Sequence, residues 1–438
     1  MRLIFVLVAL TAISSVFAEE KPTYCHDVAP ILNNNCVTCH RPGQIAPFSL
    51  STYKDAKKHG RLMADIVKRR IMPPWKPVPG YGEFIGERRL TDEQVALIEK
   101  WVKAGMPEGN RKDLPEPPTF ASGWQLGTPD LILKMPEPYQ MPAEGQDVMR
   151  NFIVPVEIPD GKYIRAVEYQ PSNRRIVHHA VLMMDPEHRA RRKDRADGAP
   201  GFTQFSQVAQ MLPGTLSGWA PGCKPLPLPD GLSCPWVKGA DLVLQLHLSP
   251  SGKPESEQST IGIYLTDQPP SKDMFNVMLV DWHIDIPPGE KAYRTRDSIM
   301  LAADVDVLGM APHMHRLGKE ERIIARLPNG EEKTLLWIND WNFSWQMFYQ
   351  NVKPVRLPAN TVVVMECTHD NSADNPNNPL PIPQRVVAGE QTSDEMAVAI
   401  LELMAVDDAD INLLASTLRR KTIGRIKAET SPAGSLTQ

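Results

Sequence analysis

Proline constrains this chain more than any other residue type. It fills 42 of 438 positions, twice the usual level of roughly 5%. Each proline fixes φ and removes a backbone donor, so long helices are disfavoured and short strands separated by turns are favoured. A mainly β protein is expected, with helix confined to a segment. The length suits about three domains. With 48 Lys plus Arg against 52 Asp plus Glu, no basic surface for nucleic acid is implied.

The N-terminus has the pattern of an export leader over residues 1–18. Arg2 is followed by the apolar run Leu3 to Ile13, and Val16-Phe17-Ala18 offers a small-residue cleavage site. The run is shorter than the roughly 20 residues that span a bilayer, which favours cleavage over anchoring. No second run of spanning length follows. A periplasmic or secreted protein without a transmembrane segment is expected, in an oxidising compartment where disulfides persist.

Helical signals concentrate in residues 22–112. Tyr53 to Arg70 carries Leu62, Ile66 and Val67 at helical spacing. A second helix is predicted from the box Thr91-Asp92-Glu93-Gln94, with Val95, Ile98 and Val102 on one face and a stop at Gly105. Residues 113–128 form a Pro-rich linker, stiff through Asp113-Leu-Pro-Glu-Pro-Pro-Thr119. Beyond it the pattern turns to short strands: Leu242 to Leu248 alternates, Ile323–Leu327 and Leu335–Ile338 flank a turn at Asn329-Gly330, and Thr361 to Cys367 is apolar. Two β-sandwich domains are expected, at 129–285 and 286–406, followed by a polar tail at 407–438.

Cys36-Val37-Thr38-Cys39-His40 has the spacing of a covalent c-type haem site. Two thiols three positions apart reach the two vinyl groups, and the adjacent imidazole becomes an axial iron ligand. A redox or zinc CxxC would call for a second Cys pair or a thioredoxin-like surround, and the sequence has neither. Met72, on the proline-restricted loop Ile71-Met72-Pro73-Pro74-Trp75, is the candidate for the other axial position, with His59 and Met63 as alternatives. Cys223 and Cys234 bracket a Pro-rich loop and are expected to form a disulfide. Cys25 and Cys367 remain, and their pairing is open.

Five histidines fall in three β-like contexts: Ile176-Val-His178-His179, Leu244-Gln-Leu-His247 and His313-Met-His315. Alternate strand residues face one way, so His313 and His315 can reach one ion. Adjacent His178 and His179 point to opposite faces of a regular strand and can share an ion only where the backbone twists or bulges. His26, His59, His188 and His283 have no partner pattern.

The order of these motifs, with Leu317-Gly318-Lys319 and Gly389-Glu-Gln-Thr-Ser-Asp-Glu-Met396 after them, resembles the copper type II, ascorbate-dependent monooxygenases. That is the family of peptidylglycine α-hydroxylating and dopamine β-monooxygenase, and the likeness runs from about Pro129 to Val406. The segment with His40-Arg-Pro-Gly, the Met-Pro-Pro-Trp loop and Leu90-Thr91 resembles the cytochrome domain fused to bacterial relatives. The resemblance implies two jelly-roll-like sandwiches behind a small α-helical cytochrome c domain. It implies two copper ions: His178, His179 and His247 hold the electron-transfer copper, and His313, His315 and Met396 hold the oxygen-binding copper. It also favours Met72 as the axial haem ligand. Imidazole suits both copper oxidation states and a thioether favours Cu(I), which fits that division. Gln245 shares a face with His247 as a possible neighbour of that ligand, and His369 is a candidate to approach the second copper.

The activity so implied is hydroxylation of a C–H bond with O2, with electrons from an external one-electron donor entering through the haem. In the peptide-hydroxylating members an Arg two residues before the H-x-H pair, and an Asn and a Tyr two and four residues after the Met ligand, anchor a substrate carboxylate. Here Ala311, Val398 and Ile400 stand at those positions, which implies a small, neutral or apolar substrate. The alternative is a periplasmic haem and copper protein for electron transfer or copper handling, without oxygenase turnover.

Overall fold

The computed structural model describes residues 21–121, 123–203, 210–211, 218–389 and 391–417, so the expected leader and residues 418–438 lie outside the described part. The chain divides into two compact units. One comprises residues 1–73 and 89–118, the other 74–88 and 119–438. Among the described residues no helix is long and apolar enough to cross a membrane.

The first unit is helical, with α1 (Ala29–Asn35), α2 (Tyr53–Lys68) and α3 (Asp92–Lys103). The predicted box caps α3: the Gln94 N–H donates to Thr91 Oγ1 at 3.2 Å and the Thr91 N–H to Gln94 Oε1 at 3.0 Å. Val95, Ile98 and Trp101 are its buried residues. Trp101 packs there with Leu32, Met63, Val67 and Leu90, and the expected Val102 lies partly buried against the same core. Helix α2 ends two residues before the expected Arg70. Arg70 has φ +57°, which a right-handed helix cannot contain.

The second unit is β, as the proline density requires. Its main strands are β1 (Leu131–Lys134), β2 (Val148–Val154), β3 (Tyr163–Gln170), β4 (Val177–Asp185), β5 (Asp241–Leu248) and β6 (Thr260–Thr266). They continue with β7 (Met274–Val280), β8 (Tyr293–Met300), β9 (Val305–Met314) and β10 (Gly318–Arg326). β11 (Glu332–Ile338), β12 (Tyr349–Leu357), β13 (Val362–His369) and β14 (Ala397–Ala405) complete the set. All pair antiparallel. Sheet β1-β6-β3 and the sheet carrying β2-β5-β4 share one core, which includes Leu244, Leu246, Ile261 and Ile263. Sheets β7-β14-β9-β12 and β8-β13-β10-β11 share another, with Leu279, Met310, Ile323, Val363 and Leu401. The predicted hairpin is β10–β11, closed at Arg326↔Glu332 with Gly330 at φ +85°.

Residues 74–88 belong with the β unit, although their position in sequence grouped them with the helical segment. Phe84 is buried in the core of the second sheet pair. Pro77 bridges to Ile338 and Phe84 to Asn351, and Trp75 meets the Tyr349 ring edge-on at 5.5 Å.

All six cysteines are free thiols, so the expected Cys223–Cys234 bridge is not formed. The reason is packing: Cys234 is buried in the core of the first sheet pair, while Cys223 packs against that of the second. Cys25 and Cys367 are each buried in separate cores, of the helical unit and of the second sheet pair.

Candidate metal centre

The adjacent pair His178-His179 meets its backbone condition. Along β4–β5 the register runs Val177↔Leu248 and then His179↔His247, leaving His178 as the extra residue of a bulge. The bulge turns both rings towards His247. Ring-to-ring distances to His247 are 4.8 Å for His178 and 4.9 Å for His179, and one ligand atom from each of the three lies within 4.8 Å of the others.

Hydrogen bonds select which nitrogen of each ring is free. His178 Nε2 donates to the Phe343 carbonyl at 3.1 Å, which leaves Nδ1 as a lone pair facing His179 Nδ1 at 3.3 Å. His247 Nε2 donates to Asp147 at 3.2 Å, and its buried Nδ1 has no hydrogen-bond partner. A buried orphan nitrogen beside two others is what a metal would satisfy. Burial disfavours the charged form and would raise the Asp147 pKa, but hydrogen bonds from His247 and Thr392 outweigh it and bring the carboxyl down to about 2. Asp147 also accepts from the Thr392 hydroxyl at 2.6 Å, tying this set to the loop that leads to Met396.

His313 and His315 lie at the end of β9, their rings 5.3 Å apart. Here the other nitrogen is free. His313 Nδ1 donates to Gln346 Oε1 at 2.6 Å and His315 Nδ1 to the Asp394 carbonyl at 3.1 Å, leaving Nε2 on both. Met396 is 8% exposed and clusters with Val280 and Val398. The last paired position of β9 and β14 is Met314↔Ala397, so His315 and Met396 are the next residues outward on the two strands. Glu395 fixes them. Its buried carboxylate accepts the backbone N–H of His315, of Leu317 at 2.8 Å and of Met396 at 2.9 Å.

The two sets adjoin. The His179 and His313 rings are 6.1 Å apart. The Phe343 ring stacks on His178 at 4.5 Å and lies 6.0 Å from His315. Its carbonyl accepts from both His178 and Gln346, so one backbone oxygen orients a histidine of each set. Burial drives the pKa of His178 and His313 down to about 3, and lowers those of His179 and His315 as well. These rings are neutral at pH 7, the form that binds a metal.

Sequence reasoning missed Asp147, Phe343, Gln346, Thr392 and Glu395. Only Thr392 and Glu395 carried a signal, their place in the run that ends at Met396. Gln245 bonds Asn151 at 3.1 Å instead of attending His247. His369 is fully buried, 3.2 Å from Thr295 and 3.9 Å from Glu395, and so meets the second set through that carboxylate. Asp147→Ala is expected to weaken metal binding at the three-His set by about 10–100-fold. A copper titration of the purified variant checks this, and unchanged affinity would remove Asp147 from the site.

In the helical unit, the Cys36 and Cys39 thiols are partly buried, and burial pushes Cys36 up to about 12. His40 Nδ1 donates to the Phe48 carbonyl at 3.1 Å, so Nε2 is the nitrogen left for a ligand. The His59 ring stacks on Phe48 at 4.0 Å, whose other neighbour is His40 at 5.0 Å. Met63 is buried in the unit's core, and Met72 is partly exposed beyond α2.

No protein-family model and no curated protein matches the chain. Among solved structures it is similar to PNGF-II at 11% identity and TM-score 0.27, covering 62% of this chain and 65% of that one, less than two thirds of its length. It is also similar to the infectious bursal disease virus VP2 subviral particle at 7% identity and TM-score 0.20, covering 66% and 74%.

Proposed function

We propose that this protein is a copper-dependent monooxygenase that hydroxylates a C–H bond of a small, neutral or apolar substrate, with electrons delivered through its own c-type haem. The reading combines the motif resemblance with one structural observation, the choice of free ring nitrogens. Nδ1 is free or facing inward on His178, His179 and His247, while Nε2 is free on His313 and His315. Neighbouring groups thus prepare two distinct ligand sets, one of three imidazoles and one of two imidazoles with the Met396 thioether. Copper held there would supply one-electron storage at each set and dioxygen activation at the thioether set. A c-type haem held by Cys36, Cys39 and His40, with Met72 as the second axial ligand, would supply one-electron entry. The overall reaction joins RH, O2, two electrons and two protons to give ROH and water. Asp147, Gln346 and the Phe343 and Asp394 carbonyls hold the ring tautomers, and Ala311, Val398 and Ile400 form an apolar wall beside the thioether set.

Anaerobically reduced, copper-loaded protein exposed to O2 with candidate substrates tests this reading, with mass spectrometry reporting one incorporated oxygen. Redox cycling with no substrate oxygenation would favour the electron-transfer or copper-handling alternative. The Cys36→Ala, Cys39→Ala double variant should lose all haem retained through a denaturing gel. Met72→Ala should keep the haem but alter its spectrum; an unaltered spectrum would redirect the assignment to His59 or Met63.

The 6.1 Å between the His179 and His313 rings favours a second arrangement, a coupled metal pair. Met396→Ala should lose one copper and leave the three-His set loaded, and His247→Ala the reverse. Loss of both metals from either single change would establish the coupled pair.

A further inference from the structure

Helix α2 carries cations where they do not help it fold. Lys54, Lys57, Lys58 and Arg61 are all exposed, as is Leu62 at 50%. Lys54, Lys58 and Leu62 are spaced four apart and Arg61 stands three past Lys58, so these four share one face, with Lys57 at its margin. Ala56, Gly60, Met63 and Val67 are buried on the opposite side. Among the described residues Lys54, Lys58 and Arg61 make no ion pair or hydrogen bond, and Lys57 only lies over the Tyr53 ring at 5.4 Å. The two acids of the helix are engaged elsewhere: Asp55 accepts from the Thr52 hydroxyl at 2.8 Å, and Asp65 pairs with Arg69 at 3.4 Å. Like charges three and four apart oppose a helix, and a cation in the first turn opposes its dipole. The chain as a whole carries a net charge of −4, so the cluster is a local feature and not a general basicity.

This face adjoins the Cys36–His40 segment. His59 stands three before Leu62 on the same helix, and its ring stacks on Phe48 at 4.0 Å. Phe48 lies 5.0 Å from His40 and accepts the His40 Nδ1–H with its carbonyl. A single exposed leucine is ordinary. Inside a cationic rim it supplies the apolar centre of a small, transient docking site, and the rim steers an anionic partner towards it. An anionic bilayer would call for several large apolar side chains on the face, and this face offers one.

We propose that the face of α2 formed by Lys54, Lys57, Lys58 and Arg61 around Leu62 docks the external electron donor, a small redox protein whose own surface is acidic. Each encounter passes one electron: the donor is oxidised by one electron and ferric haem is reduced to ferrous. The docking face is argued from the helix alone, and only the partner's role as a donor rests on the haem reading.

Calorimetric titration of the full-length, haem-loaded protein with oxidised flavodoxin, a small acidic redox protein, tests the face without turnover. Binding is expected to weaken at least about tenfold between about 20 and 300 mM salt. Lys58→Glu with Arg61→Glu should weaken it at least about tenfold at low salt. The melting temperature should not fall in that variant, because like-charge repulsion along the helix is relieved. Lys112→Glu, at an exposed lysine of the same unit outside α2, should change binding less than about twofold. Leu62→Ala should weaken binding about threefold with the same salt dependence. No binding at low salt, binding that the α2 reversal does not alter, or equal weakening by Lys112→Glu overturns the face. Tight binding to phosphatidylglycerol vesicles that the reversal abolishes, without flavodoxin binding, makes α2 a membrane contact and overturns the protein partner. Stopped-flow reduction of the haem by reduced flavodoxin then separates the two readings. Docking that depends on α2 but reduces no haem overturns electron entry through the haem and leaves the face. Haem reduction at a rate the reversal does not alter overturns the face and leaves the haem entry.

Discussion

Glu402→Gln is expected to stabilise the protein increasingly as pH rises from 5 to 8. On folding the Glu402 carboxyl moves from its ordinary 4.5 to about 8 because burial removes its water. The unfolded chain therefore gives up this proton near pH 4.5, while the folded chain keeps it until pH 8. Between these values the unfolded state binds fewer protons, so stability falls with rising pH. The penalty is absent below pH 4.5 and reaches about 5 kcal/mol above pH 8. Glutamine keeps the shape and carries no charge. Thermal melts of the two proteins should coincide near pH 5 and separate by roughly 5–10 °C at pH 8. Taking the difference cancels the other titrating groups. Parallel curves across that range would mean that the folded Glu402 is solvated or paired.

Glu395→Ala is expected to act in the opposite direction, destabilising the β unit and releasing the metal of the thioether set. The carboxylate accepts three backbone N–H groups, from His315, Leu317 and Met396, and is fully buried. Each orphaned donor costs about 1–3 kcal/mol, so a loss of about 3–5 kcal/mol or more is expected. Burial works against this carboxylate, but His369, His315 and the Met396 N–H hold its pKa below the ordinary value. Its contribution is thus present above pH 4.5 and fades as pH falls through the lower folded value. Copper analysis of Glu395→Ala should show the three-His set still loaded, with melting at lower temperature. Full metal content with unchanged melting would show that the carboxylate is not what aligns His315 with Met396.

Where a feature depends on neighbours along the chain, the sequence was enough. The Thr91–Gln94 box caps α3 because both partners lie within one turn. The hairpin around Gly330 closes where a turn residue with positive φ stands between two apolar runs. The density of proline made the larger unit β, since no long helix tolerates it. His313 and His315 share a face because strand alternation is a local rule.

Tertiary structure decided what depends on distant partners. His178 and His179 converge only because the pairing of β4 with β5 slips by one residue, which their own sequence does not encode. The free nitrogen of each ring is set by groups far along the chain: Asp147 for His247, Phe343 for His178, Gln346 for His313. Cys223 and Cys234 are eleven positions apart yet pack against different cores, so the bridge their spacing suggested is not formed. Residues 74–88 left the helical segment for the β unit because Phe84 found burial in its core and Trp75 packs against it. Glu402 looks like one more polar residue of an alternating strand; only the sheet packed over it makes its carboxyl buried and unsatisfied, because desolvation is a property of the assembled fold and not of the strand.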